Sequence, residues 1–193
     1  MDKNPLNYKA FISYRHTDNQ NKGREWATWL HRSIEEYKIP PSLIGTENLK
    51  GEDIPDKIYP IFRDEADLPA SANLSTSIKE ALDSSLLLIV ICSPQASTSH
   101  YVSSEIEYFK IINDPDDIIA AIIEGEPNIS WDQSKQKQLK NKFDGTDECF
   151  PEPLQFKYSS DGNKTGERIE PIAADFRVNV DDKLIQGWTN TTD

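Results

Sequence analysis

Short apolar runs alternate with amphipathic stretches along the first two thirds of the chain. Four of these runs are rich in aliphatic and aromatic residues, which predicts strands at 8–14, 58–62, 86–92 and 118–123. Between them, apolar residues recur every three or four positions, as on one face of a helix, which predicts helices at 25–37, 74–84 and 101–112. Strand and helix are therefore predicted to alternate.

The composition of individual runs indicates where each strand lies in a sheet. Residues 86–92 are apolar at every position, which is typical of a central parallel strand covered on both faces by helices. Pro60 cannot donate to a strand ladder, so the run at 58–62 suits an edge. We expect an α/β fold, a flavodoxin-like doubly wound parallel sheet of about five strands with helices on both faces.

The last third of the chain has a weaker pattern. Residues 128–165 are polar and poorly periodic, so we expect a variable insertion there, with one short helix at 132–142. Residues 168–176 are predicted to supply the fifth strand. We expect a single domain over residues 1–180 and a tail at 181–193, which could start a further segment.

Charge and hydropathy exclude several kinds of partner. The sequence has 33 acidic and 21 basic residues, and its formal net charge is −12 at pH 7. Such a surface repels phosphate backbones, and no basic cluster offsets it, so we expect no nucleic acid partner. No apolar run approaches the length of a membrane span, and none follows the charged N-terminus. We expect no membrane partner and a cytoplasmic location.

Cysteines, histidines and tryptophans suggest packing rather than chemistry. Cys92 and Cys149 lack metal-ligand spacing and the density of a disulfide framework, so we interpret them as free thiols. The three histidines are scattered, and we predict no metal site. Trp26 and Trp29 are spaced for the inner face of a helix, so we predict that they pack in the core.

Two nucleotide-related functions of this fold class lack support. The chain has 8 glycines but neither a GxGxxG loop nor a P-loop. Phosphoacceptor receiver domains share the architecture but need acidic residues after the first and third strands to hold a divalent cation. Those strand ends read Ser13-Tyr14 and Cys92-Ser93. Any nucleotide must therefore be held in another way.

Three motifs lie at the ends of the first three predicted strands. They read FISYR at 11–15, IFRD at 61–64 with LP at 68–69, and IVICSP at 89–94 followed by SHYVSSEI at 99–106. Together and in this order they resemble the sequence boxes of the TIR (Toll/interleukin-1 receptor) domain family, bacterial type. Two positions differ from the usual pattern, because Ala70 replaces a Gly and Tyr101 replaces a Trp.

The resemblance implies an enzymatic function. In TIR domains that act as enzymes, a Glu of the third box is required to cleave NAD between nicotinamide and ribose, and Glu105 occupies that position. NAD is then the substrate, and no cofactor is expected. Nicotinamide leaves without being protonated, so one carboxylate that stabilises an oxocarbenium-like ribosyl centre is sufficient. The product stays open among linear, cyclic and conjugated ADP-ribose, and bacterial proteins of this kind commonly serve antiviral defence.

Further residues near the predicted strand ends are expected to bind NAD. Tyr101 precedes Glu105 by four residues and so shares its helical face, where it could stack on the nicotinamide or adenine ring. Arg15 or Arg63 could pair with the pyrophosphate in the absence of a glycine loop. In an arbitrary protein such residues pack or lie at the surface, so the resemblance carries these roles. The complete predicted set is Tyr14, Arg15, Arg63, Ser93 and Tyr101.

The alternative function is that of an interaction module. Many TIR domains act as adaptors that bind other TIR domains through the loop after the second box, which here contains Asp64, Leu68 and Pro69. Such an adaptor needs no carboxylate at position 105, so the presence of Glu105 favours the enzyme. TIR enzymes also often gain activity on self-association, so TIR–TIR contacts are expected under both hypotheses.

Overall fold

The computed structural model describes residues 8–20, 25–48, 51–63, 75–132, 137–138, 147–159 and 161–177. The loop residues Asp64, Leu68 and Pro69 and the tail at 181–193 lie outside these ranges. Within them, no helix is long and apolar enough to cross a membrane. The strands are β1 Ala10–Ser13, β2 Ile61–Arg63, β3 Leu88–Cys92, β4 Ile118–Ile122, β5 Trp131–Asp132, β6 Lys137–Gln138, β7 Phe156–Tyr158, β8 Lys164–Arg168 and β9 Ile172–Asp175. The helices are α1 Trp26–Glu35, α2 Thr76–Asp83, α3 Pro94–Ser97, α4 His100–Ile112 and α5 Glu152–Gln155.

Five parallel strands form the central sheet in the order β2-β1-β3-β4-β9. This order is that of the flavodoxin-like doubly wound folds, so the predicted fold class is confirmed. β3 occupies the middle and is buried along its whole length, as its uninterrupted apolar sequence indicated. β2 lies at an edge, where the proline that precedes it interrupts no ladder.

Alternate strand residues face opposite layers of helices, because side chains along a strand point to the two faces in turn. One buried cluster joins Phe11 and Val90 to α2 and α4. The other joins Ile12 and Ile89 to α1. Helices therefore cover both faces of the sheet, as predicted, and the alternation determines which helical layer each strand residue faces.

The two tryptophans of α1 pack as the sequence predicted. Trp26 and Trp29 are half-buried against the cluster on the α1 face of the sheet. Their ring centroids lie 6.5 and 5.7 Å from that of Phe176, which follows β9. The aromatic contacts therefore join the first helix to the last strand of the sheet.

The short helix expected at 132–142 is wrong for the part of that segment that the structure describes. Trp131–Asp132 and Lys137–Gln138 pair in antiparallel register as β5 and β6. The Trp131 ring lies 4.6 Å from the guanidinium carbon of Arg168. A tertiary contact thus holds the start of the segment extended, and it outweighs a weak helical pattern.

Part of the expected insertion belongs to the core. Cys149, Phe150 and Leu154 are buried in the cluster on the α4 face of the sheet. β7 and β8 form a separate antiparallel pair, and Arg168 ends β8. The fifth strand expected at 168–176 is therefore the shorter β9, because its first residues pair elsewhere.

Lys110 of α4 joins this added segment to the sheet domain. Its Nζ donates to the carbonyl oxygens of Pro153 at 2.7 Å and Phe156 at 3.0 Å. The side chain is buried, and burial lowers the pKa of the ammonium group to about 8. A charged donor inside the protein therefore fixes α5 and β7 against the helix that carries Glu105.

Candidate active site at the carboxyl edge of the sheet

All strands of the central sheet end at the same side, called here the carboxyl edge, where Ser13, Arg63, Cys92 and Ile122 end β1 to β4. In open α/β sheets, ligands bind outside this edge at the point where the strand order reverses. β2 lies beyond β1 on one side, and β4 lies beyond β3 on the other. The reversal therefore lies between the ends of β1 and β3.

Two serine caps start the helices that follow β3. The Ser93 hydroxyl accepts a hydrogen bond from the N–H of Ala96 at 2.9 Å and caps α3. The Ser99 hydroxyl accepts from the N–H of Val102 at 3.4 Å and caps α4. Because α4 begins so soon after β3, its first two turns, with Tyr101 and Glu105 on one face, lie near the carboxyl edge.

Glu105 is buried, and its carboxylate is held by the end of β1. The side chain is 8% exposed, and the Ser13 hydroxyl donates to Glu105 Oε2 at 2.5 Å. This distance is typical of a charge-assisted hydrogen bond from a hydroxyl to a carboxylate. Ser13 faces α4 because Phe11, two residues earlier in β1, packs in the cluster on that face. The structure therefore holds Glu105 beside the strand reversal and largely out of solvent.

Sequence reasoning quoted Ser13 in a motif but missed its contact with Glu105. The two residues are 92 positions apart, and no helical or strand spacing relates them. One signal was available, because Ser13 lies within a run predicted to be a buried strand. A buried hydroxyl requires a hydrogen-bond partner, and the α4 layer is where that partner had to be sought.

Ser93 contacts a second buried carboxylate, that of Asp18. Its hydroxyl donates to Asp18 Oδ2 at 2.6 Å while it accepts from the N–H of Ala96. Ser93 is fully buried, and Asp18 is 7% exposed. The predicted contact of Ser93 with NAD stays a prediction, and its hydroxyl already bonds to the protein on both sides.

Asp18 lies in the 3-10 turn His16–Asn19 that follows β1. Burial raises the pKa of its carboxyl, and the negative charge of Glu124 raises it further. The hydrogen bond from Ser93 and the positive charge of Arg15 act in the opposite direction. Sequence reasoning missed Asp18, since an Asp in a polar loop is usually solvated.

The residues that follow Ser13 lie at the same edge. The Tyr14 and His16 rings stack with centroids 5.0 Å apart and planes at 9°. Tyr14 is half-buried, and Arg15 between them is exposed. Tyr101 is also half-buried, one helical turn before Glu105. Three of the predicted binding residues thus accompany Glu105 near the strand reversal, although their contact with NAD stays a prediction.

Arg63 lies on the opposite face of the sheet from Glu105. Its Nη1 donates to Thr28 Oγ1 of α1 at 2.5 Å. Ile61, two residues earlier in β2, packs in the cluster on the α1 face. Asn19 also donates to Thr28 Oγ1, at 3.1 Å, and it accepts from the N–H of Ala27 at the start of α1. Arg63 thus joins the edge strand to α1, and a role in binding NAD stays a prediction.

The two cysteines and the possible metal ligands were also considered as reactive groups. Cys92 and Cys149 are free and buried, and burial raises the pKa of both thiols, that of Cys149 to about 12. A thiol that stays protonated is a poor nucleophile. Among the residues that the structure describes, no three His, Cys, Asp or Glu side chains are grouped as metal ligands.

A cavity of about 550 Å³ lies at the other side of the sheet, where β4 and β9 begin. Ile118 and Ile172 form part of its wall, together with Lys110, Leu154 and Tyr158. None of the predicted site residues lines it. The cavity is therefore separate from the carboxyl edge.

A family model agrees with the resemblance of the three motifs to TIR domains. The family model described as TIR domain matches residues 10–152. A curated relative, NAD(+) hydrolase ApTIR from Actinoplanes sp., is 29% identical over 121 residues, which cover 63% of this chain and 15% of the relative. The chain thus aligns with only a small part of that protein. A solved structure of the activated Roq1 resistosome directly recognizing the pathogen effector XopQ (TIR domains) is 16% identical, with a TM-score of 0.41, and the match covers 64% of this chain and 61% of that one. Because the family model spans well over half of its length, the chain belongs to the TIR domain family.

Proposed function

We propose that this TIR domain cleaves NAD at the bond between nicotinamide and ribose, with Glu105 as the catalytic carboxylate. One observation carries the proposal: Glu105 of the third box is buried at the strand reversal and accepts a hydrogen bond from Ser13. A solvated glutamate of an adaptor surface requires neither the burial nor the buried donor. The 29% identity to a protein named NAD(+) hydrolase supports the same activity.

The chemistry requires only one carboxylate. The bond between ribose C1′ and the nicotinamide nitrogen breaks, and its electron pair stays on the nitrogen, so nicotinamide leaves as a neutral group. Positive charge develops at the ribosyl centre, and the negative charge of Glu105 stabilises it in a site partly shielded from water. A water oxygen then bonds to C1′ and releases a proton, which yields ADP-ribose, nicotinamide and one proton.

The neighbours of Glu105 have distinct proposed roles. Ser13 keeps the carboxylate in one orientation, because its hydroxyl occupies one of the two oxygens. Tyr101 stacks on an aromatic ring of NAD from one turn earlier on the same helical face. Arg15, which is exposed at the end of β1, pairs with the pyrophosphate.

The finer properties follow from the resemblance and form part of the same proposal. If a nitrogen of the adenine captures the ribosyl centre instead of water, the product is a cyclic ADP-ribose that can act as a signal. TIR–TIR self-association and a role in antiviral defence accompany such activities in the bacterial family. The proposed substrate is a cytoplasmic dinucleotide, which agrees with a cytoplasmic location.

Nicotinamide release from NAD tests the proposal. The purified chain is assayed at high concentration beside Glu105→Gln, which keeps the size of the side chain but removes its charge. Glu107→Gln is the matched control, because Glu107 is an exposed carboxylate on the same helix. We expect Glu105→Gln to reduce release by about a hundredfold or more, with circular dichroism unchanged, and the control to retain activity. Equal release from folded Glu105→Gln would remove this residue from the mechanism.

An adaptor function is the second candidate, since TIR domains also bind one another. It predicts concentration-dependent assembly in light scattering without nicotinamide release. The same assembly in Glu105→Gln, combined with no release from the wild-type chain even when it is assembled, would favour the adaptor over the enzyme.

A further inference from the structure

The cavity where β4 and β9 begin has an apolar inner wall. Ile118 of β4 and Leu154 of α5 line it and are 2% and 1% exposed, and Tyr158 of β7 is buried beside them. The cavity volume of about 550 Å³ lies within the range of small-molecule sites in proteins, roughly 300–1,000 Å³. Such sites combine an apolar wall with a few polar groups that select the ligand. The inner wall therefore fits the apolar part of a small ligand.

One buried charged residue, Lys110 of α4, lines the same cavity. It is 6% exposed. Its Nζ carries three protons, and it donates two of them to the carbonyl oxygens of Pro153 and Phe156. The same atom lies 5.1 Å from the ring centroid of Tyr158, which also lines the cavity. Nζ is thus close to the cavity wall, with one proton left for another acceptor.

The ammonium group of Lys110 has no carboxylate partner among the residues that the structure describes. Burial lowers its pKa to about 8, and no neighbouring charge acts in the opposite direction. Backbone carbonyls compensate only partly for the desolvation of a charge, and for this reason buried lysines are usually paired with an anion. The carboxylate of a ligand in this cavity would supply both the opposite charge and a charge-assisted hydrogen bond.

The exposed residues of the cavity wall, called here the rim, limit which anions fit. The rim has three acidic residues, Asp114, Asp116 and Glu170, and one basic residue, Lys157. This excess of negative charge repels a polyanion such as a nucleotide or a phosphorylated peptide. A monocarboxylate with an apolar body is repelled less, because its single charge lies against Lys110 and its remaining surface is neutral.

From these observations we propose that the cavity is a binding site for a small apolar monocarboxylate, with the carboxylate on Lys110 and the apolar body against Ile118 and Leu154. The proposal adds a second ligand site at the opposite side of the sheet from Glu105. It does not depend on the cleavage of NAD, because none of the predicted active-site residues lines the cavity. Binding at this site can therefore be tested whether or not the chain is an enzyme.

Octanoate and octanamide are suitable test ligands, since they share an apolar chain and only octanoate is charged. In calorimetric titrations of the complete chain at neutral pH, octanoate should bind at least about tenfold more tightly than octanamide, as expected for a charge-assisted hydrogen bond. Lys110→Met keeps a long side chain without the charge, and it should abolish this preference. Lys157→Met is the matched control, because Lys157 is an exposed lysine of the rim, and this variant should retain the preference.

Ile172→Trp locates the binding without changing Lys110 or its carbonyl partners. Ile172 lines the cavity and is 66% exposed, so a larger side chain there should obstruct the cavity and weaken octanoate binding about tenfold or more. This variant keeps the proposal testable if Lys110→Met fails to fold. Absence of octanoate binding to the wild-type chain, or equal affinity for octanoate and octanamide, would overturn the proposal. Wild-type affinity for octanoate in folded Ile172→Trp would also overturn it, because the ligand would then bind elsewhere.

Discussion

Replacement of Ser13 by Ala tests the central contact of the candidate site. The change removes the hydroxyl that donates to Glu105 Oε2 at 2.5 Å and leaves the carboxylate buried without that donor. A hydrogen bond to a charged group contributes about 1.5–3 kcal/mol. At about 1.36 kcal/mol for each tenfold change in rate, full loss in the transition state reduces kcat/KM roughly ten- to hundredfold.

The assay measures kcat/KM for nicotinamide release by the wild-type chain and by Ser13→Ala. Ser85→Ala is the matched control, because Ser85 is also buried and donates its hydroxyl to the Ala81 carbonyl at 2.7 Å, before β3 begins. Both variants should lose some stability, and only Ser13→Ala should lose activity. An unchanged kcat/KM in folded Ser13→Ala would refute the role given to this hydrogen bond.

Three further predictions concern the added segment, one turn and the thiols. Burial lowers the pKa of Lys110 from its ordinary 10.5 to about 8, so the unfolded state binds more protons between these values. The difference in free energy of unfolding between the wild-type chain and Lys110→Met, measured by urea titration, should therefore increase as the pH rises above about 8. A difference that does not change with pH would contradict this prediction. Gly125→Ala should lower the free energy of unfolding by about 2 kcal/mol or more, because φ is +82° and the new Cβ would lie 2.7 Å from the Asp147 carbonyl oxygen. The control Gly45→Ala has φ +74° but open space around the new Cβ, and it should lower the free energy of unfolding by only about 1–2 kcal/mol. Cys92 and Cys149 are buried with raised pKa values, so iodoacetamide should label them slowly in the native protein and rapidly in denaturant, as followed by mass spectrometry.

The sheet could be predicted from sequence because the amino-acid composition of its strands indicates how deeply each strand is buried. Residues 88–92 contain no polar side chain, and this pattern is typical of a parallel strand covered on both faces. Pro60 indicated the edge position of the strand that it precedes. By contrast, Trp131 and Arg168 are 37 positions apart in sequence, and their contact lies at the start of the segment that the sequence predicted as a helix, where the structure has a short strand. A local pattern cannot report a contact of that kind.

In the candidate site too, local sequence patterns identified some features, and contacts between residues distant in sequence were missed. Glu105 could be identified from a motif, but the hydrogen bond to its buried carboxylate comes from the first strand, far away in sequence. Ser13 and Asp18 contribute through partners that lie 92 and 75 residues away. Sequence reasoning therefore located the edge of the sheet at which the site lies, and it missed the hydrogen bonds that fix the two carboxylates there.

The alternation of faces along β1 has a consequence for the register of the chain. Phe11 and Ser13 face α4, whereas Ala10 and Ile12 face α1. One inserted or deleted residue within β1 would turn Ser13 towards α1 and bring an apolar side chain against the carboxylate of Glu105. The same slip would carry Phe11 out of one packed cluster and into the other. Two requirements therefore constrain the length of this strand: the packing of both helical layers and the hydrogen-bond donor to Glu105. Only shifts by an even number of residues keep Ser13 on the α4 face.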